Sequence, residues 1–542
     1  MPQLDTLFRT WRRGTDRSAA LDADDREIAA RLAVVDDAYR ADVGPFVRDR
    51  SGYFLGYTPI GSDLLPVHVS PRIMDERSSV TTGATGTGKT VLQVMLALET
   101  LARGNAGLVA SDYQGHDSGF AKLLAEHALP GLAMRLPPER GAELLLGVRV
   151  FAPWLSSKLP SFHLTAPGGS ASRRAAAIID VFAATCGVGA FGPRMLALTT
   201  PATRALILTG TPLPLLAEFL TNERFRRALT IAAGDPDLTS YVEHRFAADF
   251  REAGASVLAR LDRFFADEST KLSMYAPDPF DPAAWLESGT TILNLGGGTS
   301  SHRAFWASFV QHALLSAALA RQATRSSRRV VIRIDEAQVG LPGEAQAREL
   351  DDALSRVRSR KVAIAIAHQH AGQLSSYPFL RESLKANCGY MLTFRVPEET
   401  IVQNAFPLPD SLPPGVSSGL SEAQVRSVWT RVLTSLPDRT FLVRVPTLSP
   451  ASVPVVAAHF DVEAFGRDAP EDIRALAREG QGGYPRADLA ARETVWRRTA
   501  EEIARAAEPN VDALARLARR RAPARAEPDR DGAAASSIVE VG

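Results

Sequence analysis

The sequence predicts an α/β fold with a large α-helical insertion, and three observations indicate it. Short apolar segments typical of buried strands alternate with helical segments in the first and last thirds of the chain. A glycine-rich segment at 83–90 stands between a predicted strand and a predicted helix. A strand that ends in two adjacent carboxylates follows only at 329–336, after a stretch that is helical almost throughout from 170 to 267. Two parts of one sheet are therefore expected on either side of an inserted helical subdomain.

The glycine-rich segment fits the pattern G-x-x-x-x-G-K-[ST] at every fixed position. Its residues are Gly83, Ala84, Thr85, Gly86, Thr87, Gly88, Lys89 and Thr90. In such a loop, backbone N–H groups face anionic oxygens and the following helix adds the positive end of its dipole. The pattern predicts an ATP phosphate site in which Lys89 reaches the β and γ phosphates and the Thr90 hydroxyl binds Mg²⁺.

The elements around this loop extend the predicted sheet. Residues 46–70 predict a strand, a turn and a second strand that lead into the nucleotide domain. Residues 107–112 predict an apolar strand that ends in an acid, and such strand ends face the nucleotide in an open α/β sheet. Residues 143–151 predict one more strand on this side of the insertion.

The predicted sheet resumes after the insertion. Strands are expected at 290–295 and 329–334, with a long apolar helix from about 301 to 321 between them. A strand at 361–367 leads to Gln369, and a last pair of strands at 390–396 and 441–445 brackets a helix at 421–433. Because 246 positions separate the loop lysine from the first of the two carboxylates, the helical stretch between them is interpreted as an insertion.

These elements divide the chain into six predicted segments. They are an N-terminal helical segment (1–45), the first part of the ATPase domain (46–160), the α-helical insertion (161–285), the second part of the ATPase domain (286–465), a C-terminal Arg/Ala-rich helical segment (466–521) and a disordered tail (522–542).

The two carboxylates and the next strand end are predicted to carry the chemistry. Asp335 would hold Mg²⁺ through water, and Glu336 would orient and deprotonate the attacking water. A surface acidic pair is the alternative, and the run of β-forming residues before it disfavours that alternative. Gln369 can sense the γ phosphate without adding charge; otherwise it is a polar residue at a strand end.

A motor that works as a ring also needs a cation delivered from the neighbouring subunit. The candidates are Arg356, Arg358 and Arg360, which precede the Gln369 strand, and Arg395, which closes a later strand. Arg360 and Arg395 are favoured, although an isolated arginine is more often solvated or ion-paired. The sequence does not choose between them.

Composition limits the function classes. The 62 Lys and Arg residues against 61 Asp and Glu give no bulk charge for nucleic acid, so any DNA contact must come from local patches or from assembly around a channel. The only cysteines, Cys186 and Cys388, fit a reducing cytoplasm, and we expect a cytoplasmic protein, either free or peripheral at the inner face of the membrane. No run of eighteen apolar residues predicts a transmembrane segment.

Four motifs together resemble those of the FtsK–HerA superfamily of pumping ATPases. They are GATGTGKT at 83–90, RVVIRIDEAQ at 329–338, SRKVAIAIAHQ at 359–369 and LKANCGYMLTFRVPEE at 384–399. The resemblance covers roughly 50–460 and is nearest to HerA-type helicases and to the ATPases of conjugative type IV secretion. It implies a RecA-like P-loop NTPase core of the ASCE type, the roles given above for the site residues, and a homo-hexameric ring that drives DNA, or sometimes protein, through a pore.

The sequence departs from the family in three ways. The usual Ala-Thr-Gln is Ala367-His368-Gln369 here, the HerA N-terminal β-barrel has little room before residue 83, and the transmembrane helices of coupling proteins have no counterpart. The first hypothesis is a DNA translocase that acts on double-stranded DNA, in conjugation-like transfer or with a nuclease. The alternative is a secretion-type ATPase that moves protein substrates or powers assembly of a secretion channel.

Overall fold

The computed structural model describes most of the chain. The described residues are 40–48, 50–60, 63–113, 119–154, 158–185, 191–287, 289–297, 300–341, 343–369, 377–396, 433–449 and 452–505. The N-terminal helical prediction up to residue 39, the helix predicted at 421–433 except its last residue, and the predictions for 506–542 lie outside them.

Two compact units make up the chain, and each is built from several segments. Of the described residues, those within 40–149, 283–296 and 311–480 belong to the first, the sheet unit, and those within 150–282, 297–310 and 481–505 belong to the second, the helical unit. The helical unit therefore takes up the C-terminal residues as well as the stretch interpreted as an insertion.

The strands lie mainly in the sheet unit. They are β1 (Tyr53–Ile60), β2 (Asp63–Val69), β3 (Ser78–Thr82), β4 (Ala106–Asp112), β5 (Val148–Phe151), β6 (Lys158–Leu159), β7 (Thr290–Asn294), β8 (Arg329–Asp335), β9 (Val362–His368), β10 (Cys388–Phe394), β11 (Thr440–Arg444), β12 (Val453–Val456) and β13 (Tyr484–Pro485).

Within the described residues the main sheet has 11 strands, in the order β2-β1-β12-β11-β10-β3-β9-β8-β4-β7-β5. Its central strands, from β10 through β7, pair in parallel, whereas β2, β1, β12 and β11 continue it in antiparallel fashion. Strands from before and after the helical stretch thus form one sheet, which confirms the predicted α/β fold with two parts of one sheet on either side of a helical stretch. The continuous β-branched and small apolar runs of β8 and β9 suit strands that are buried on both faces.

The helices cover this sheet and build the helical unit. They are α1 (Arg40–Arg48), α2 (Pro71–Met74), α3 (Lys89–Arg103), α4 (Phe120–Leu123), α5 (Leu129–Ala133), α6 (Pro138–Leu146), α7 (Ala171–Thr185), α8 (Pro193–Thr209), α9 (Leu216–Thr221), α10 (Glu223–Ala233), α11 (Pro236–His244), α12 (Phe246–Phe265), α13 (Glu268–Ser273), α14 (Pro282–Glu287), α15 (Ser300–Ala320), α16 (Glu344–Arg356), α17 (Pro378–Asn387), α18 (Val462–Gly466), α19 (Glu471–Glu479) and α20 (Arg486–Arg505). No helix in the described ranges is long and apolar enough to cross a bilayer.

The predicted hairpin at 46–70 is present and becomes part of the main sheet. Strands β1 and β2 pair antiparallel, and Tyr57 of β1 lies opposite Val456 of β12. Tyr53, Leu55, Val67 and Val69 enter the same buried cluster as Leu92 and Leu96 of α3. The hairpin is therefore packed against the helix that follows the glycine-rich loop.

The prediction of a strand at 143–151 is wrong over its first five residues. Helix α6 runs through Leu146, and only Val148–Phe151 is extended. Pro138 at the first helical position and Glu139 in the first turn favour the helix, which Gly147 then terminates. The run Leu144–Leu146 is apolar enough to suggest a strand, although helix and strand are hard to distinguish in so short a run.

An aromatic cluster forms the core of the helical unit. Its edge-to-face and stacked rings are Phe151, Phe162, Phe182, Phe264, Phe280, Phe305, Trp306 and Phe309. Each such ring buries a large apolar area, so the cluster contributes to the packing of this unit.

The C-terminal helix α20 packs within the helical unit. Leu489 is fully buried with Leu159 and Leu272. Glu493 forms an ion pair with Lys271 at 3.1 Å, and the Arg492 guanidinium donates to the Tyr275 carbonyl at 2.9 Å. Apolar and charged side chains of this Arg/Ala-rich segment thus hold helix α20 within the unit. The composition of the segment alone did not predict this role.

Candidate nucleotide site

The loop between β3 and α3 adopts a conformation that its glycines permit. Gly86 has φ +81° and Gly88 has φ +99°, in the left-handed region that side chains with a Cβ rarely adopt. At Gly83 the reason is space, because an added Cβ would lie 2.4 Å from the Phe394 Cβ. The backbone around this loop is therefore open to a ligand that approaches closely.

Three backbone hydrogen bonds hold this loop to neighbouring strands and turns. The Gly83 N–H donates to the His368 carbonyl at 3.3 Å, and the Ala84 N–H donates to the Arg395 carbonyl at 2.8 Å. The Arg439 N–H donates to the Thr87 carbonyl at 2.9 Å. The loop is thus tied to the ends of β9 and β10 and to the turn before β11.

Lys89 is buried and faces the loop. Its Nζ donates to the Gly83 carbonyl at 2.5 Å and to the Ala84 carbonyl at 2.9 Å. Burial lowers the pKa of Lys89, while the nearby carboxylates Glu336 and Asp335 raise it. Thr90, the next residue of α3, is half-buried. The ammonium therefore occupies the side of the loop where phosphate oxygens would bind in a site of this type.

Asp335 ends β8 directly opposite Asp112, which ends β4. Both are buried. Burial, and then the charges of Asp112 and Glu336, raises the pKa of Asp335 to about 7, against the opposing effect of Lys89. Among the described residues the Asp335 Oδ2 has no hydrogen-bond partner. A buried carboxylate beside two others is unfavourable unless a cation compensates it, so these residues fit a bound Mg²⁺.

The donor set also indicates how such an ion would be held. Within the described ranges no group of three His, Cys, Asp or Glu side chains is placed to hold a metal by itself. Mg²⁺ is commonly bound through one or two carboxylates together with waters and substrate phosphates, and this site matches that mode. In the sequence, Asp112 is only the acid at the end of a predicted strand. Its proximity to Asp335 depends on β4 and β8 being neighbours in the sheet.

Glu336 has a left-handed backbone conformation, which is uncommon for a residue other than glycine. It has φ 56° and is buried at the start of the turn after β8. Its Oε1 accepts from the Gln369 Nε2 at 3.1 Å, and its Oε2 accepts from the Gln338 Nε2. Non-glycine residues in such conformations concentrate at functional sites, where surrounding contacts fix them. The contact between Gln338 and Glu336 was not predicted, although Gln338 is the last residue of the Asp-Glu-Ala-Gln segment.

His368, the last residue of β9, is linked to the end of β3 and to the glycine-rich loop. Its Nε2 lies 3.0 Å from the Thr82 Oγ1, and its ring is buried. The backbone carbonyl of His368 accepts a hydrogen bond from the Gly83 N–H. His368 therefore contacts both the end of β3 and the start of the loop.

The two favoured arginines have intrachain partners. The Arg395 Nη2 forms an ion pair with the Asp438 Oδ1 at 2.7 Å, and its backbone carbonyl supports the loop. Arg360 precedes β9, at the opposite end of that strand from Gln369, and its Nη1 donates to the Arg321 carbonyl at 3.3 Å. The structure therefore brings Lys89, Asp335, Glu336 and Gln369 together but not Arg360.

Arg360 lies beside an open cavity of about 570 Å³. The cavity is lined by Leu319, Ser355, Arg356, Arg358, Ser359 and Arg360. Arg356 pairs with Asp352 at 2.8 Å, whereas the exposed Arg358 side chain makes no hydrogen bond or ion pair with any residue that the structure describes.

Comparisons with known proteins give structural but not sequence matches. No family model and no curated protein matches the chain. The bacterial conjugative coupling protein TrwBdeltaN70, unbound, is 17% identical over 78% of this chain and 92% of its own, with a TM-score of 0.49. TrwB in complex with ADP and Mg²⁺ is 16% identical over 74% and 89%, with a TM-score of 0.48. VirB4 of Thermoanaerobacter pseudethanolicus is 15% identical over 77% and 99%, with a TM-score of 0.44.

Proposed function

We propose that this protein hydrolyses Mg-ATP and, as a homo-hexameric ring, uses the energy to move double-stranded DNA. The observation that carries the proposal is the contact of Gln369 with Glu336 at the ends of two neighbouring parallel strands, beside a glycine-rich loop that ends in Lys89. A carboxylate base, an amide and an ammonium in this arrangement suit hydrolysis of a phosphoanhydride better than nucleotide binding alone.

Residues 83–90 would hold the ATP phosphates. The Lys89 ammonium would exchange its two loop carbonyls for the β and γ phosphate oxygens, which are stronger acceptors because they are charged. Thr90 and Asp335 would hold Mg²⁺, which when bound neutralises charge that develops on the phosphates. In the part of the chain that the structure describes, the Asp335 Oδ2 has no hydrogen-bond partner, which supports this assignment.

Glu336 would act as the base for the attacking water. Both of its carboxylate oxygens accept hydrogen bonds from amides, so its side chain is held in one orientation. Gln369 would orient the same water and report the γ phosphate to β9, because a neutral amide can donate to one group while it accepts from another.

A cation from the neighbouring subunit would complete the site. Arg360 and Arg395 were favoured from the sequence, and both remain candidates, although each already has an intrachain partner. Among the described residues, the Arg358 side chain has no hydrogen bond or ion pair to break, which favours it in this role. Mixing each arginine variant with Glu336→Gln subunits tests this, since only a cation supplied in trans restores turnover in mixed rings.

DNA as the substrate follows from the resemblance of the four motifs to pumping ATPases. TrwB, to which the chain is similar, is described as a conjugative coupling protein. Translocation is tested by displacement of a third strand from linear duplex DNA. ATP-dependent displacement that Glu336→Gln abolishes would support the proposal, whereas no displacement alongside ATP turnover would exclude it.

The alternative is a secretion-type ATPase that moves protein or powers channel assembly. The near-neutral composition, with 62 basic and 61 acidic residues, favours it over a motor that relies on a strong positive field. A cytoplasmic location, free or peripheral at the inner face of the membrane, suits both functions, with a nuclease or a secretion channel as the partner. ATP turnover that ignores DNA and rises with such a partner would establish this alternative.

A further inference from the structure

A buried cation lies behind the carboxylates of the candidate site. Arg333 is 1% exposed in the middle of β8, two residues before Asp335, so its side chain emerges on the same face of the sheet. Strands β9 and β4 flank it on both sides. None of the roles proposed above for the nucleotide site uses this arginine.

Two hydrogen bonds connect Arg333 to the elements that carry the loop. Its Nη1 donates to the Gln93 Oε1 at 3.1 Å, and the Gln93 Nε2 donates to the Thr81 Oγ1 at 2.9 Å. Gln93 lies on α3 one turn after Lys89, and Thr81 lies on β3 two residues before the loop begins. This relay, Arg333–Gln93–Thr81, therefore joins β8, α3 and β3 through buried side chains.

Arg333 has little other compensation. Its Nε and Nη2 have no partner in the described part of the chain, and it forms no ion pair with Asp75, the buried acid whose pKa it lowers against the stronger effect of burial. Asp75 instead accepts a hydrogen bond from the Tyr53 hydroxyl. Burial of a guanidinium without an ion pair is unfavourable, so the presence of an arginine at this position is not explained by a gain in stability.

We propose that Arg333 is a positioning residue that fixes the Asp335 and Glu336 carboxylates relative to Lys89. Through Gln93 it sets how far β8 stands from α3, and through Thr81 it sets the direction in which β3 enters the loop. Phosphoryl transfer depends on such placement, and an error of about 1 Å can cost about a hundredfold in rate. The inference rests on the proposed ATPase function and assigns to it a residue away from the ligand.

The test measures kcat at saturating Mg-ATP and the equilibrium Kd of a fluorescent ATP analogue. The variants are Arg333→Met, Arg333→Lys, Gln93→Met and the double Met variant. Tyr53→Phe is the matched control, because it removes a buried hydrogen bond from the same polar region without touching the relay.

Arg333→Met and Gln93→Met are each expected to lower kcat at least about tenfold, with the Kd changed less than about threefold. The double variant should be no slower than the slower single variant, because both changes break one relay. Arg333→Lys retains a donor and should keep more activity than Arg333→Met. Tyr53→Phe should lower the melting temperature and leave kcat unchanged.

Several results would overturn the inference. They are an unchanged kcat in Arg333→Met, single effects that multiply in the double variant, and a loss of kcat no larger than that of Tyr53→Phe. If Arg333→Met does not fold, Gln93→Met decides: an unchanged kcat, or a loss no larger than that of Tyr53→Phe, would overturn the inference. Wild-type protein with no more turnover than Glu336→Gln would instead refute the proposed function itself.

Discussion

The side-chain amide of Gln369 donates to the Oε1 of Glu336 over 3.1 Å, across the adjacent parallel strands β9 and β8. Two residues that are 33 positions apart in the sequence thus share one hydrogen bond at the carboxyl edge of the sheet. Any movement of β9 against β8 changes the orientation of the proposed base. This contact is the structural link between nucleotide chemistry and strand movement in our account.

Removal of that amide should slow hydrolysis without weakening binding. In Gln369→Leu, Glu336 loses one of its two amide contacts and the attacking water loses an orienting group, so we expect kcat to fall about tenfold to a hundredfold. The Kd for Mg-ATP should stay within about threefold of wild type. Gln346→Leu, a change at a buried amide on α16, is the control and should retain wild-type kcat. A Gln369→Leu protein with normal kcat would contradict the proposed role.

Asp335 should make the metal-free protein less stable as the pH rises. Its folded-state pKa of about 7 lies above its ordinary value of 3.8, so the folded state binds the proton more tightly. The stability that this proton contributes is complete below about pH 4 and is lost as the pH rises through 7. Asp335→Asn removes the titration, and its free energy of unfolding should exceed that of wild type by up to about 4 kcal/mol at pH 8.

Urea unfolding in the presence of EDTA, from pH 5 to pH 8, checks this prediction. The charged groups that face Asp335 are Asp112 on β4, Glu336 in the following turn and Lys89 on α3. Lys89 lowers the pKa of Asp335, so Lys89→Met should raise that pKa further. When Lys89→Met is added both to Asp335→Asn and to the chain that retains Asp335, the difference between their free energies of unfolding at pH 7 should therefore widen. A difference that does not vary with pH would show that Asp335 does not titrate in this range.

Gly83→Ala should destabilise the fold. The new Cβ would lie 2.4 Å from the Phe394 Cβ, so the loop or β10 must shift, at a cost of about 1–3 kcal/mol in the free energy of unfolding. Gly289→Ala is the control in the same unit, because its Cβ would meet only the tip of the Arg328 side chain at 3.6 Å. Equal midpoints of urea unfolding for the two variants would refute the packing argument.

Lys89→Met should abolish most nucleotide binding while the fold is retained. The ammonium contacts only the Gly83 and Ala84 carbonyls by hydrogen bonds among the described residues, so its loss leaves little unsatisfied, but the phosphates lose their main cation. We expect the Kd for Mg-ATP to rise at least about tenfold, measured with a fluorescent analogue. Unchanged affinity would remove the loop from the proposed site.

The local parts of the site could be predicted from the sequence. The phosphate loop, the β8 strand with its two carboxylates and the strand before Gln369 each have a signal within about ten residues. The order of the parallel strands then brings these signals together, because the carboxyl ends of parallel strands meet at one edge.

The remaining parts depend on contacts between distant segments. The pairing of β1 with β12, the packing of α20 with Leu159 and Leu272, and the contact of Arg333 with Gln93 have no local pattern. Arg333 in particular appears in the sequence as an interruption of an apolar strand. The partner of Arg333 depends on which helix packs on that strand, and this can be known only from the three-dimensional structure.

Steady-state hydrolysis of ATP, with and without linear double-stranded DNA, is the decisive measurement for a DNA motor. We expect turnover that DNA stimulates at least several-fold and that Glu336→Gln reduces at least about a hundredfold in both conditions. Turnover that survives in Glu336→Gln would contradict the assignment of the base, and turnover that is indifferent to DNA would contradict the DNA motor.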